Sequence, residues 1–287
     1  MERPQNLDLS FFAYGLFRPG QLAFFQLRDL TSHIRDPVRV SGELRLRDGL
    51  PIVDPTGPGE VTGALLTFEP ERVAEAYDRI SAMEPDNHYL WAETQVGGIA
   101  ATLLVGRSPR KGSVPCEDYE WDGWADPLFT AALEVVQETL TDSQKFNSDL
   151  KPLFRLQMAY LLLWSSIERY VSLRYHLGGK VSEKVNQLAD EPPFAEALRR
   201  EVTGTREVYR ADRPTERAVL DPNQPRRALD YYYRVRSNIT HRGKGVLRDH
   251  LILQYSLAEL LPIFRAVLKA AQDDASNQSV KPATTEG

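Results

Sequence analysis

The stretch Leu153–Tyr170, LFRLQMAYLLLWSSIERY, sets the architecture of the second half of this chain. Leu153, Leu156, Tyr160, Leu163, Ile167 and Tyr170 recur every three or four residues, the spacing that puts side chains on one face of an α-helix. The most apolar run within it, Ala159–Trp164, is followed at once by Ser165, Ser166, Glu168 and Arg169. It falls far short of the roughly 20 residues a bilayer span needs and reads as buried helix. The same period returns at Ala228, Tyr232, Val235 and Ile239, and again at Val246, His250, Leu253, Leu257, Leu260, Phe264 and Val267. These stripes predict an all-α bundle. Glu191–Pro225 is rich in Pro, Arg and Glu and weakly periodic, which predicts a short helix inside an irregular excursion.

Upstream the signal changes from period 3.6 to short apolar runs broken by turns. Phe11–Leu16 is short and apolar, Val40, Gly42, Leu44 and Leu46 alternate with polar neighbours, and Val61–Phe68, Leu90–Val96 and Ile99–Val105 read as further strands. Arg18-Pro19-Gly20, Asp48-Gly49, Asp54-Pro55 and Gly57-Pro58-Gly59 mark reversals, since Pro presets φ and Gly permits positive φ. One helix interrupts the strands, Glu69 to Met83, with Pro70 in its first turn. Between Gly106 and Asp126 the composition shifts to Arg, Lys, Gly, Ser and Pro with scattered Trp, the mark of a domain connection. The expected layout is a β-rich domain over 1–110, a linker over 111–125, a helical domain over 126–272 and a polar, disordered tail over 273–287.

Bulk composition agrees with folded domains: 42% of the 287 residues are hydrophobic and 26% charged. The net charge is −5, which excludes a surface coated with basic residues for indiscriminate nucleic-acid binding. Charge is uneven, however. Arg226, Arg227, Arg234, Arg236, Arg242, Lys244 and Arg248 face only Asp230 in one 23-residue window, leaving −11 for the remainder. Cys116 is the only cysteine, which suits a reducing compartment, and Met1–Ser10 has no export-signal pattern. A cytoplasmic location without membrane contact is expected. His33, His88 and His176 show no metal-ligand spacing, so neither metal nor cofactor is expected.

Phe12-Ala13-Tyr14-Gly15-Leu16-Phe17-Arg18-Pro19-Gly20-Gln21 ends a strand in a glycine turn, a geometry able to aim several backbone N–H groups at one anion. It resembles the opening motif of the gamma-glutamylcyclotransferase-like family, in which Tyr-Gly-Thr/Ser-Leu precedes Arg-Pro-Gly. Val40–Leu44, Gly49-Leu50-Pro51, Val61-Thr62-Gly63 and Ile80-Ser81-Ala82-Met83-Glu84, with Tyr89 after it, are similar in order to the family's later features over about the first 110 residues. Leu16-Phe17, Ile80-Ser81 and Pro85 depart from the usual residues. The resemblance implies a small mixed β-barrel and a site in which Glu84 is the acid/base. It further implies that Tyr14, Gly15, Leu16 and Phe17 hold a substrate carboxylate and that Tyr89 walls the pocket. Read from the residue alone, Glu84 is equally a helix-end carboxylate in solvent.

The stretch Asp230–Gly245, DYYYRVRSNITHRGKG, combines Arg, His and an amide. Five residues along one helix turn through about 140°, so Arg236 and His241 converge only where the helix ends between them, and Gly243 and Gly245 permit such an end. Guanidinium offers a fork for phosphate and imidazole exchanges protons near neutrality. A His base and an Arg countering phosphorane charge suffice for metal-free RNA cleavage through the 2′-OH. The stretch resembles the HEPN domain, whose ribonuclease members carry Arg, four to six residues and then His. The fit extends over about Asp126–Ala271, with Glu168 at the acidic position facing the motif and Ser237 and Asn238 following the Arg. By this resemblance Arg236 and His241 are catalytic, Asn238, Arg242 and Lys244 bind substrate, and the active form is a homodimer. Tyr231, Tyr232 and Tyr233 offer either a stacking ring for a base or core packing, and Arg236 with Glu168 reads equally as a structural ion pair.

The fold class expected is thus α+β, a cyclotransferase-like barrel followed by a HEPN-like bundle. The first functional expectation is a metal-independent RNA endonuclease whose N-terminal domain senses or processes a gamma-glutamyl-type metabolite in stress or phage defence. The alternatives are a cyclotransferase releasing 5-oxoproline, with helices serving dimerisation, and a non-catalytic binding protein.

Overall fold

The computed structural model describes residues 1–84, 86–117, 120–142, 150–176, 181–210, 213, 215–242 and 248–279, with backbone alone at 181, 241–242, 248–249 and 278–279. The architecture is α+β. The described residues divide into two compact units, Met1–Asp126 together with Gln272–Ser279, and Pro127–Ala271.

In the first unit the elements run β1 (Ser10–Ala13), β2 (Thr31–Ser41), β3 (Glu43–Arg47), β4 (Leu50–Asp54), β5 (Glu60–Phe68), α1 (Val73–Met83), β6 (Tyr89–Val96), β7 (Ile99–Gly106) and β8 (Val114–Pro115). Five strands form one sheet in the order β2-β5-β1-β7-β6, and β4-β3-β8 form a second. The expected barrel is not closed: the larger sheet ends at β2 on one side and β6 on the other. Pro37 in β2 has no N–H to donate, and the β2–β5 register shifts between Arg35 and Val38, so the outer side of β2 is a poor partner for another strand. Gly42 separates β2 from β3 at φ +143°, where a Cβ would meet the Asp54 carbonyl oxygen at 2.9 Å. The expected single alternating strand through Val40–Leu46 is therefore two strands in two sheets.

The short β1 lies in the middle, antiparallel to β5 and parallel to β7. Its side chains alternate between two cores as period 2 requires. Phe11 and Ala13 pack with Tyr77, Ile80, Tyr89 and Leu104 on the α1 side, while Phe12 and Tyr14 pack with Val53, Val61, Leu103 and Trp121 on the other. The stretch 111–125, expected as a linker, belongs to this unit instead. Its β8 pairs with β3, Trp121 donates its indole N–H to the Gly49 carbonyl at 3.2 Å, and Trp124 donates to that of Gly20 at 2.8 Å. Anchored indoles close an apolar sheet face that a free connection would leave wet.

The second unit contains α2 (Ala131–Asp142), α3 (Lys151–Arg174), α4 (Val181–Leu188), α5 (Pro192–Glu201), the strands β9 (Arg206–Tyr209) and β10 (Arg217–Leu220), α6 (Pro225–Arg242) and, as far as Ala271, α7 (Arg248–Ser279). All six stripe residues of α3 are buried, as are His250, Leu253, Leu257, Leu260, Phe264 and Val267 of α7; Val246 lies outside the described residues. The unit is not all-α. Within the expected irregular excursion, β9 and β10 form an antiparallel hairpin that buries Val208, Ala218 and Leu220, because each four-residue strand points alternate side chains at the helices. His250–Asn277 is the one helical span among the described residues long and apolar enough to cross a membrane by composition, and 56% of its apolar 18-residue window is buried within the protein. The segment 273–279, expected as disordered tail, continues α7; 280–287 lie outside the described residues.

Candidate functional site

The C-terminal end of β1 delivers Tyr14 and Gly15 from the centre of the sheet into a turn closed by the Arg18 N–H donating to the Gly15 carbonyl at 3.0 Å. A Cβ on Gly15 would stand 2.8 Å from Cγ of Pro51, so only glycine lets the loop lie this close to β4. The N–H groups of Gly15, Leu16 and Phe17 donate to no acceptor among the described residues. Such a run of amides is a candidate anion seat.

Helix α1 supplies the carboxylate. Tyr77 and Ile80 fix the helix to the β1 face, and the chain leaves it at Glu84, whose N–H still reaches the Ile80 carbonyl at 3.1 Å while its own φ and ψ, −92° and 125°, are extended. Half-buried, Glu84 lines a cavity of about 30 Å³ together with Phe11, Ala13, Tyr14, Gly15, Leu16, Phe17, Leu50, Pro51, Tyr89 and Leu104. Tyr89, the first residue of β6, donates its hydroxyl to the Pro51 carbonyl at 2.9 Å. Burial above all, then Tyr89 and the Glu84 carboxylate, hold the Tyr14 phenol well above its ordinary range, with a hydrogen bond to the Val53 backbone opposing them. Tyr14 is therefore a neutral donor beside a carboxylate.

All six residues expected from sequence at this site, Tyr14, Gly15, Leu16, Phe17, Glu84 and Tyr89, meet at one cavity. Sequence reasoning assigned no role to Phe11, Ala13, Leu50, Pro51 or Leu104. Only the parallel pairing of β1 with β7 and the approach of β4 bring them there; Gly49-Leu50-Pro51 was the one local signal.

Of the second expected site, the described side chains are those of Arg236, Asn238 and Glu168. Arg236 on α6 donates through Nη2 to Glu168 Oε1 on α3 at 3.2 Å, and its guanidinium lies 5.7 Å from the Tyr233 ring centre. Asn238 donates its amide to the Tyr209 carbonyl at 2.8 Å, which ties α6 to the hairpin and engages the group expected to bind substrate. Helix α6 runs on to Arg242, so it does not end between Arg236 and His241, and the two positions stand about 140° apart around its axis. The side chains of His241 and Arg242, and all of Lys244, lie outside the described residues. Of the three tyrosines, Tyr231 and Tyr232 are wholly buried and Tyr233 is half-buried, edge-on to Trp164 at 5.6 Å. Tyr232 donates to Glu259 Oε2 at 3.0 Å, and Glu259 also pairs with Arg206. Two of the three rings thus serve the core. Among the described residues, no group of three His, Cys, Asp or Glu side chains is placed to hold a metal.

No protein-family model matches this chain, and no curated protein sequence matches it. Among solved structures, a single-residue variant of Kluyveromyces lactis allophanate hydrolase is similar over 42% of this chain and 21% of that one, at 12% identity and a TM-score of 0.33. The chain thus spans about a fifth of that enzyme's length, and a likeness of this size defines no shared fold.

Proposed function

We propose that the first unit is a gamma-glutamylcyclotransferase-like site that releases 5-oxoproline from gamma-glutamyl amides. The observation that carries the reading is the convergence of Tyr14, Glu84 and Tyr89 on one cavity beside the Gly15–Phe17 amides. Those amides would seat the substrate's α-carboxylate. The α-amine attacks the γ-carbonyl carbon while Glu84 takes a proton from the amine nitrogen. As the bond from that carbon to the leaving nitrogen breaks, Glu84 returns the proton to the departing amine. Tyr14, held neutral, stays able to donate to oxygen. At about 30 Å³ the cavity has room for little more than a water, so it must widen to admit a substrate. The experiment is a panel of gamma-glutamyl amides assayed for 5-oxoproline. The expected result is release by the native chain and at least a hundredfold loss in a folded Glu84→Gln variant; no release, or equal release by the variant, overturns the reading.

The Arg236–Glu168 pair favours a second reading, metal-free RNA cleavage by the helical unit as a homodimer. It holds the guanidinium on α6 with the acidic partner that the HEPN resemblance implies, and the local basic excess suits a phosphate backbone. Because one helix does not aim positions 236 and 241 at one phosphate, the Arg of one protomer would act with the His of another. Cleavage of single-stranded RNA in EDTA, lost in both Arg236→Ala and His241→Ala, is expected; cleavage unchanged by either substitution overturns this reading.

A further inference from the structure

A groove of about 730 Å³ runs beside the Glu84 cavity and shares Tyr89 with it. One wall is the segment Glu2–Asn6, the other is β6 from Tyr89 to Glu93. The wall is pinned: Trp91 donates its indole N–H to the Glu2 carbonyl at 2.9 Å, and Arg3 pairs with Asp78 on α1. β6 is an edge strand, so its outward backbone groups can meet an extended chain.

Charge and aromatic surface point the same way. The carboxylates of Glu2, Asp86 and Glu93 form no ion pair among the described residues, against two such cations, the Arg107 guanidinium, whose Nε donates to the Asp86 carbonyl at 3.0 Å, and the Met1 ammonium, which donates to the Ser81 carbonyl at 3.2 Å. Trp91 lines the groove and is braced edge-on by Phe11 at 5.9 Å and Tyr77 at 5.6 Å. A fixed indole is the best aromatic partner for a cation.

We propose that this groove receives the leaving-amine portion of the substrate, and that this portion is an extended, positively charged chain. The assignment rests on the cyclotransferase reading for its orientation: with the carboxylate at Gly15–Phe17 and the scissile bond at Glu84, the amine departs past Tyr89 into the groove. At about 730 Å³ the groove falls within the several-hundred Å³ range typical of small-molecule sites.

The probes are three gamma-glutamyl amides of similar length whose amines are 1,4-diaminobutane, pentylamine and 4-aminobutyrate, cationic, neutral and anionic at pH 7. Binding is measured by calorimetry on the full-length Glu84→Gln chain, which separates the groove from turnover. The expected order is cationic, neutral, anionic, with at least a tenfold range in Kd, and Glu93→Gln added to that chain narrows the range. Equal affinity for the three, no binding of any, or a range indifferent to Glu93→Gln overturns the groove assignment. Release of 5-oxoproline from the same compounds by the native chain is scored separately. Turnover with equal binding removes the groove alone, whereas charge-ordered binding without turnover removes the cyclotransferase reading and leaves a cation-selective binding groove.

Discussion

The Tyr89 hydroxyl and the Pro51 carbonyl oxygen are 2.9 Å apart in the core of the first unit, and this bond joins the start of β6 to β4 on the wall of the Glu84 cavity. Tyr89 is almost fully buried, so the bond has little competition from water.

Tyr89→Phe removes the donor and leaves the Pro51 carbonyl in an apolar setting. The expected cost is about 1–3 kcal/mol, read as a lower midpoint in urea unfolding followed by tryptophan fluorescence. An unchanged midpoint would show that Pro51 finds another donor.

Gly15→Ala puts a methyl group 2.8 Å from the Pro51 ring. The ring is too rigid to swing away, so the loop must shift, at a cost of about 1–3 kcal/mol. Gly204 has no atom within 4 Å of a built Cβ and no positive φ, so Gly204→Ala is the control and leaves stability equal or slightly higher. Thermal melts of the two variants compare them directly.

Arg236 and Glu168 keep 29% and 31% of their side-chain surface exposed. Solvent screens such a pair, and a double-mutant cycle with Arg236→Ala and Glu168→Ala is expected to give a coupling of about 0.2–1 kcal/mol. A larger coupling in denaturant melts would identify the pair as a structural clamp.

Burial holds the His250 imidazole below its ordinary range. In the unfolded chain it takes a proton near pH 6.5, whereas the folded chain resists that proton. Stability is unaffected well above that pH, falls as pH drops through about 6.5, and levels off below the folded-state value. Urea midpoints at pH 7.5 and 5.5 are expected to differ less in His250→Leu than in the native chain; the same difference in both would assign the pH dependence to other groups.

The helices were legible because each long one repeats its apolar residues over several turns, as Leu153 to Tyr170 do. The edge strand β2 was not, since most of its residues are exposed and show no alternation. The hairpin β9–β10 was hidden by strands of four residues, and the segment 111–125 by a loop-like composition whose two indoles find carbonyls about 70 to 100 residues upstream. Tyr14, Glu84 and Tyr89 were legible as a site by their resemblance to a known motif order. Their neighbours Phe11, Pro51 and Leu104 were not, because the strand pairings that assemble them join residues far apart in sequence. Arg236 could be named together with its partner Glu168, whereas Asn238 could be named without its partner, the Tyr209 carbonyl.

The sequence by itself determined that a strand-rich half precedes a half built on long helices, and which face of α3 and α7 turns inward. Those are local properties, set by side-chain period and backbone sterics within a few residues. Tertiary structure decided that the sheets stay open, that Glu84 faces Tyr14 and Tyr89 across one small cavity, and that a groove lies against the edge of β6. Each of these depends on which distant strands find hydrogen-bond partners and which are left as edges, a choice made by packing over the whole unit.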